Sequence, residues 1–239
     1  MKILLCGYDG AMGQVFSKLY KVAYGFSKSE AESSYPITTN LSEFEEKVDV
    51  IIDFSHPKLF DEIADYARKT KTPFVVATTG LSERQLAYID QLALDIPVLQ
   101  SGNFSRSMIV MTHLVSEASK LLPNFDIEII EAHHRYKVDA PSGSALMLFE
   151  AAKKINPALI MSTERNHKRE ANEVGMQSLR GGTLSGDHKV QFFGEDESLS
   201  LSHHAQSKDI FAHGAYEAAL YLVKQEKGRY DYKDVVFND

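Results

Sequence analysis

The residues best suited to chemistry lie together between Glu128 and Ala145, in the stretch EIIEAHHRYKVDAPSGSA. Four of its side chains are cationic or can become so: His133, His134, Arg135 and Lys137. A few residues later, Ser142, Gly143 and Ser144 open what reads as a helix, and a helix N-terminus draws anions through its free N–H groups and its dipole. Cations, backbone donors and candidate proton donors in one segment suit a small carboxylate substrate. The plainer alternative is a polar strand-to-helix loop on a solvated face.

The elements that must position these groups can be read around them. Ile129 and Ile130 between Glu128 and Glu131 predict a strand leading into the histidines. The turn-forming Asp139 to Ser144 precedes an apolar run over 145–152 that predicts a helix.

The chain opens with an apolar run, residues 2–6 (KILLC), read as a buried parallel strand. GYDGAMG follows, with Gly7, Gly10 and Gly13 three apart, and residues 12–20 can form a short helix. Strand, glycine turn and helix form the context of a dinucleotide phosphate loop, because glycine lets the backbone turn tightly against a pyrophosphate. The spacing differs from the commoner GxGxxG, and a plain tight turn is the alternative. A second strand is expected at 22–26 (VAYGF). Dinucleotide folds carry an acid near its end for the ribose hydroxyls. Here no carboxylate precedes Glu30. Lys28 stands where a 2′-phosphate would fall, and equally reads as a solvated loop lysine.

Further along, Ser42-Glu43-Phe44-Glu45 has the pattern of a capping box opening a short helix. Residues 48–54 (VDVIIDF) read as a third strand, 72–79 (TPFVVATT) as a fourth and 96–99 as a fifth. Helices are expected after Pro57 and after Ser82, the second capped by Ser82-Glu83-Arg84-Gln85. Alternating strands and helices predict a doubly wound parallel sheet of Rossmann type, with ligands at the carboxyl ends of its strands. Three small polar turns fall there: 7–12, Ala77-Thr78-Thr79, and Ser101-Gly102-Asn103-Phe104.

A long helix over 105–122 follows, and the pattern then changes. Residues 125–132, 176–179, 190–193 and 199–203 alternate like half-buried strands, and 209–225 returns to helical spacing. The expected fold class is α/β: a Rossmann-like domain from residues 1–104 plus 209–239, and a second α+β domain with a mixed or antiparallel sheet from 105–208.

Composition sets outer bounds. The 239 residues are 44% hydrophobic and 25% charged, ordinary for a globular protein. The net charge of −7 argues against broad nucleic-acid binding. No apolar run approaches the roughly 20 residues of a membrane helix. The N-terminus is broken too early by Gly7 for a secretory signal, so a cytoplasmic location is expected. Cys6, the one cysteine, lies in an apolar strand and reads as a packed core residue.

With GYDGAMG at the start and EIIEAHHRYKVDAPSGSA in the middle, the chain resembles the dihydrodipicolinate reductase family. DFSHP (53–57), ATTG (77–80), SGNFS (101–105), RGGTLSGDH (180–188) and FAHGA (211–215) extend the likeness along nearly the whole chain. The central segment is specific to that family, and the glycine turn is not. The resemblance implies NAD(P)H-dependent reduction of a small cyclic dicarboxylate on the route to lysine and diaminopimelate, in a homotetramer. It implies that NADPH, NADH or both bind at Gly7, Tyr8, Asp9, Gly10, Ala11 and Met12, at Lys28, at Ala77, Thr78 and Thr79, and at Ser101, Gly102, Asn103 and Phe104. It places proton donation on His133 and Lys137. Substrate contacts fall on His134, Lys137, Ser142, Gly143 and Ser144, the last standing where the family usually has threonine. The apolar residues of 190–193 and 199–203 could supply an oligomer face.

Two rivals are weighed. A metal site would combine His133 and His134 with His113, His203 or His204, but adjacent strand residues point to opposite faces and chelate poorly. A cofactor-sensing regulator without turnover would leave the Lys137 and helix-start constellation without purpose.

Overall fold

The structure is a computed structural model and describes residues 1–237. The chain divides into two compact units, Met1–Phe104 with Lys208–Asp239, and Ser105–Ser207. In chain order the first part contributes β1 (Ile3–Cys6), α1 (Ala11–Leu19), β2 (Tyr24–Phe26), β3 (Ile37–Thr38), β4 (Val50–Asp53), α2 (Phe60–Thr70), β5 (Phe74–Val76), α3 (Glu83–Leu92) and β6 (Pro97–Gln100). The second unit holds α4 (Arg106–Leu121), β7 (Asp126–His133), α5 (Gly143–Ile155), β8 (Ile160–Ser162), β9 (Glu173–Arg180), β10 (Gly186–Phe193) and β11 (Ser198–Ala205). The chain then adds α6 (Asp209–Leu222), β12 (Gly228–Tyr230) and α7 (Tyr232–Phe237).

The first unit is a seven-stranded sheet in the order β12-β6-β5-β4-β1-β2-β3, parallel throughout. Strand order reverses at β1, so the crevice at its carboxyl end, between β1 and β4, is the switch point where such sheets take ligands. Sequence and structure agree on why the strands lie here. Ile3 to Cys6 and Val50 to Asp53 are buried on both faces, as parallel strands with helices on either side must be. On one face Leu4, Cys6, Ile51 and Val76 pack with Phe60, Ile63, Ala67, Ile89 and Leu92 of α2 and α3. Burial pushes the Cys6 thiol well up, which fits a packed core residue.

Several expectations are corrected. The Ser42–Glu45 pattern opens no α-helix. It lies in a 3₁₀ turn, Leu41–Glu43, capped from Asn40, whose side chain accepts from the Ser42 N–H at 3.0 Å. Asn40 caps first and Phe44 is already extended, so only one turn forms. The Ser82 capping box is present, with the Gln85 side chain returning to the Ser82 N–H. Three short strands, β3, β8 and β12, had too few residues to show a period in the sequence.

The second unit is a five-stranded mixed sheet, β11-β10-β7-β9-β8, with β11, β10 and β7 antiparallel and β7, β9 and β8 parallel. Alternation along the strands sends Ile127, Ile129, Val174, Met176, Val190 and Phe192 to the face covered by α4 and α5, where Met108, Met111, Val115, Leu148 and Phe149 meet them. This narrows the expectation for 190–193 and 199–203. Val190 and Phe192 serve this unit's own core, with Leu201 packed against it, whereas Phe193 and Leu199 remain exposed. The opposite face carries the alternate residues, among them Ile130, Ala132, Leu179, Lys189, Gln191 and Ser200.

Candidate active site

Strand register explains how the central segment becomes a site. The pairing aligns Met176, Ile129, Val190 and Leu201 across β9, β7, β10 and β11, all on the helix-covered face. Two residues further along, the same face turns polar: Ser178, Glu131, His188 and His203 stand side by side. The next position pairs His133 with Arg180. Both helices on this face begin at this polar end, α4 capped by Ser105 and α5 by Ser142.

Glu131 is the centre of this cluster and is fully buried. Its carboxylate receives donors from three directions. Arg180 binds in a fork, Nη1 to Oε2 at 2.9 Å and Nη2 to Oε1 at 2.8 Å. The Ser142 N–H donates to Oε1 at 3.2 Å, and His133 Nδ1 lies 2.5 Å from Oε2. Burial alone would push the Glu131 carboxyl up, but Arg180, Ser178 and His133 outweigh it and bring it down to about 2. An ionised carboxylate is acceptor-only, so His133 donates from Nδ1 and is held as the tautomer with a lone pair on Nε2. Burial lowers the His133 imidazole from its ordinary range, and Lys137 and Arg180 add to that, against the opposing pull of Glu131. The ring is therefore neutral near pH 7. The space before Nε2 exists because residue 186 is glycine: a Cβ there would stand 2.8 Å from Nε2.

His188 lies 5.2 Å from His133, ring centre to ring centre, and its Nε2 is 3.1 Å from the Ser142 hydroxyl. Burial and the neighbouring His133 and His203 bring His188 down to about 4, so it too is neutral. His203 completes the row, its Nε2 within 3.2 Å of the Ser105 hydroxyl and 3.1 Å of that of Ser107.

The expected substrate residues occupy the mouth of this cluster. Lys137 sits in the turn after β7, its N–H donating to the His134 carbonyl, and its ammonium contacts Asp139 at 2.8 Å. Burial would push Asp139 up, and Lys137 and Arg180 bring it below its ordinary value instead. His134, on the opposite side of the strand end from buried His133, is half-buried, and its Nδ1 has no hydrogen-bond partner among the described residues. Gly143 is exposed at the first turn of α5, where an added Cβ would meet nothing within 4 Å. Ser144 follows, half-buried. Ser142 is 2% exposed, its N–H is engaged by Glu131 and its hydroxyl by the Ala145 N–H and His188. It holds the helix start in place, with its N–H and hydroxyl both engaged inside the cluster.

The sequence reading missed Glu131, Arg180, Gly186 and His188 as parts of the site. The i, i+2 spacing of Glu131 and His133 signalled a shared face. Nothing in the sequence signalled that β9 and β10 would bring Arg180 and His188 alongside. Among the described residues no group of histidine, cysteine or acidic side chains is arranged to hold a metal ion.

In the first unit, the three expected turns all lie at carboxyl ends of parallel strands. Gly7 adopts φ 74°, and a Cβ on it would lie 2.7 Å from Ser55. A Cβ on Gly13 would strike the Gly7 carbonyl at 2.2 Å. Both glycines are demanded by close backbone approach. The N-cap of α1 is Gly10, with no side-chain cap, so the first-turn N–H groups beside exposed Ala11 and half-buried Met12 suit a pyrophosphate. These residues fit a dinucleotide. Thr78 is buried and bonds the Asp53 and Ser55 carbonyls, and Ser101 bonds the Asn103 backbone. Phe104 is buried against Tyr232. These side chains shape their turns, leaving Ala77, Thr79 and Gly102 to present the more accessible surface. Tyr8 is likewise buried, with its hydroxyl on the Ala31 carbonyl at 3.1 Å. The Lys28 ammonium contacts Glu62 at 2.7 Å and the Thr39 carbonyl at 3.2 Å.

Residues 1–104 match the family model of the dihydrodipicolinate reductase N-terminus, and residues 107–236 that of its C-terminus. The chain belongs to the dihydrodipicolinate reductase family. It is 38% identical to the 4-hydroxy-tetrahydrodipicolinate reductase of Caldanaerobacter subterraneus subsp. tengcongensis, over 99% of this chain and 98% of that one. It is 41% identical to the enzyme of the same name from Staphylococcus carnosus, over 98% and 99%. Among solved structures, a dipicolinate-bound dihydrodipicolinate reductase from Paenisporosarcina sp. TG-14 shares the fold, with a TM-score of 0.81 over 97% of each chain at 22% identity. The resemblance read from the central segment thus holds for the whole length.

Proposed function

We propose that this chain reduces 4-hydroxy-tetrahydrodipicolinate to tetrahydrodipicolinate, with release of water, at the expense of NADH or NADPH, in lysine and diaminopimelate biosynthesis. The observation that carries the reading is the buried Glu131, which fixes His133 and the start of α5 together while Arg180 neutralises it. Membership of the family and the dicarboxylate bound by its structural relative support the substrate class.

The nicotinamide cofactor supplies the hydride. The remaining work falls to this chain. Lys137 and the Gly143–Ser144 backbone grip the carboxylates. His133, neutral and with its Nε2 lone pair free of Glu131, takes a proton from the ring as water leaves. The Glu131 carboxylate stabilises the imidazolium so formed, as a carboxylate does for a catalytic histidine in other enzymes. Lys137 delivers a proton to the departing hydroxyl, and the imidazolium returns its proton to the ring atom beside the one that accepts hydride. Atoms balance: substrate, hydride and one proton give product and water.

The test is loss of NAD(P)H absorbance on adding the freshly generated product of dihydrodipicolinate synthase. Cofactor binding without oxidation would sink the reading and leave a cofactor-sensing protein. A second measurement isolates the helix start. A Cβ added at Gly143 meets no protein atom within 4 Å, so the fold should survive Gly143→Val. It should raise the substrate KM at least about tenfold by blocking a carboxylate, with cofactor affinity unchanged. Parallel losses for both ligands would instead indicate a folding defect.

We also propose a homotetramer, with a dimer as the lesser assembly. What supports it is the sheet face of the second unit turned away from α4 and α5, where Leu179 is 57% and Phe193 39% exposed beside half-buried Ile130 and Ala132. Such a face on an open sheet invites a partner. Light scattering at micromolar concentration should give about four times 26.8 kDa. The mass of a single chain would refute it.

A further inference from the structure

Dinucleotide folds that prefer a free ribose place an acid just after the second strand. This chain has Ser27 there, and the first acid downstream is Glu30. The fold supplies a carboxylate from elsewhere. Asp9, inside the glycine turn, reaches across to the end of β2: the Ser27 hydroxyl donates to its Oδ2 at 2.9 Å, and the Ser29 hydroxyl donates to the same oxygen. Among the described residues nothing donates to its other oxygen, Oδ1. The residue is only half-buried and borders an open cavity of about 260 Å³. Lys18 and Glu32 border the same cavity with opposite charges, so Asp9 leaves it net negative. The cation that could have met a 2′-phosphate, Lys28, is paired with Glu62 and lies over the Phe26 ring.

We infer that Asp9 is the residue that selects the cofactor. Its Oδ1 receives the adenosine ribose hydroxyls, its charge repels a 2′-phosphate, and the chain binds NADH in preference to NADPH. This rests on the reading that the Gly7–Met12 turn holds a nicotinamide dinucleotide. The two serines do more than fill space: by donating to Oδ2 they fix the carboxylate's rotamer, so that Oδ1 is the oxygen left to a ligand. Even with the full screening of bulk water, a carboxylate and a phosphate dianion about 5 Å apart repel enough for about a tenfold difference in affinity.

Titration calorimetry on the full chain with NADH and NADPH, without substrate, tests this directly. NADH is expected to bind about tenfold more tightly than NADPH. Asp9→Asn keeps the side-chain shape and removes the charge, so NADPH should tighten, NADH should weaken, and the gap should close to roughly twofold. Lys28→Ala should leave both affinities within about twofold of the parent. Equal or tighter binding of NADPH by the parent chain would overturn the assignment without any variant. So would an Asp9→Asn change that moves both cofactors equally. If both dinucleotides bind equally, only the role of Asp9 falls. If neither binds, the reading of the glycine turn falls with it.

Discussion

His133→Ala is expected to lower kcat by about 10²–10⁴ with little change in KM, the factor typical of a positioned acid or base. Lys137→Ala should lower kcat by a similar factor and also raise KM, because its ammonium both carries a proton and holds a carboxylate. The double variant should be far less than multiplicatively worse. His133 and Lys137 sit at the end of one strand and in the turn that follows it, and the Lys137 charge is felt at the His133 ring. Residues that serve one proton transfer share a single loss when either goes. Steady-state kinetics on the two single variants and the double one decide the matter. Fully multiplicative losses would mean that they act on separate steps. Near-normal turnover in His133→Ala would remove the histidine from proton transfer and leave Lys137 alone.

The second large effect concerns Glu131, which touches no substrate in this scheme and acts through His133. Glu131→Gln should lower kcat because an amide no longer enforces a hydrogen on Nδ1 or stabilises an imidazolium. Loss of the carboxylate also removes the group that raises the His133 pKa, so the acid limb of the kcat profile should move to lower pH. Nitrogen NMR of the ring would report the same change, from one tautomer to a mixture. A purely structural role would move neither readout. Stability should change as well. The Glu131 carboxyl goes from an ordinary 4.5 to about 2 in the folded chain. A group with a depressed folded pKa contributes stability that is complete above 4.5 and is lost as pH falls towards 2. The shift corresponds to roughly 3 kcal/mol, close to what is expected when one partner of a buried ion pair is removed. Glu131→Ala should therefore lose on the order of 3 kcal/mol at neutral pH, with Arg180 left uncompensated, and should lose less further stability on acidification between about 4.5 and 2 than the parent. Equilibrium denaturation across that range would show whether the two curves converge.

Local sequence was enough for whatever depends on neighbours in the chain. The apolar runs 2–6 and 48–54 announced buried parallel strands because both faces of such strands are covered. The glycine turn, the Ser82 capping box and the helix after Ser142 were legible because turns and caps are made by residues one to four apart. The central segment carried His133, Lys137 and the helix start in 18 consecutive residues, from Glu128 to Ala145. Short segments were less legible: a two-residue strand such as β3 shows no period, and the Asn40 cap displaced the one read at Ser42.

Tertiary structure decided everything that depends on register. Alternation predicts which residues of one strand share a face, but not which rows meet across strands. Only the pairing of β9, β7, β10 and β11 places Arg180 and His188 against Glu131, and Arg180 keeps that carboxylate ionised and so gives His133 a defined tautomer. The same limit hid which way Val190 and Phe192 would face, because a period of two marks two sides without naming the inner one. It also hid the acid beside β2. The sequence carries none at the end of that strand, and Asp9 reaches Ser27 only because the glycine turn after β1 folds back over its parallel neighbour.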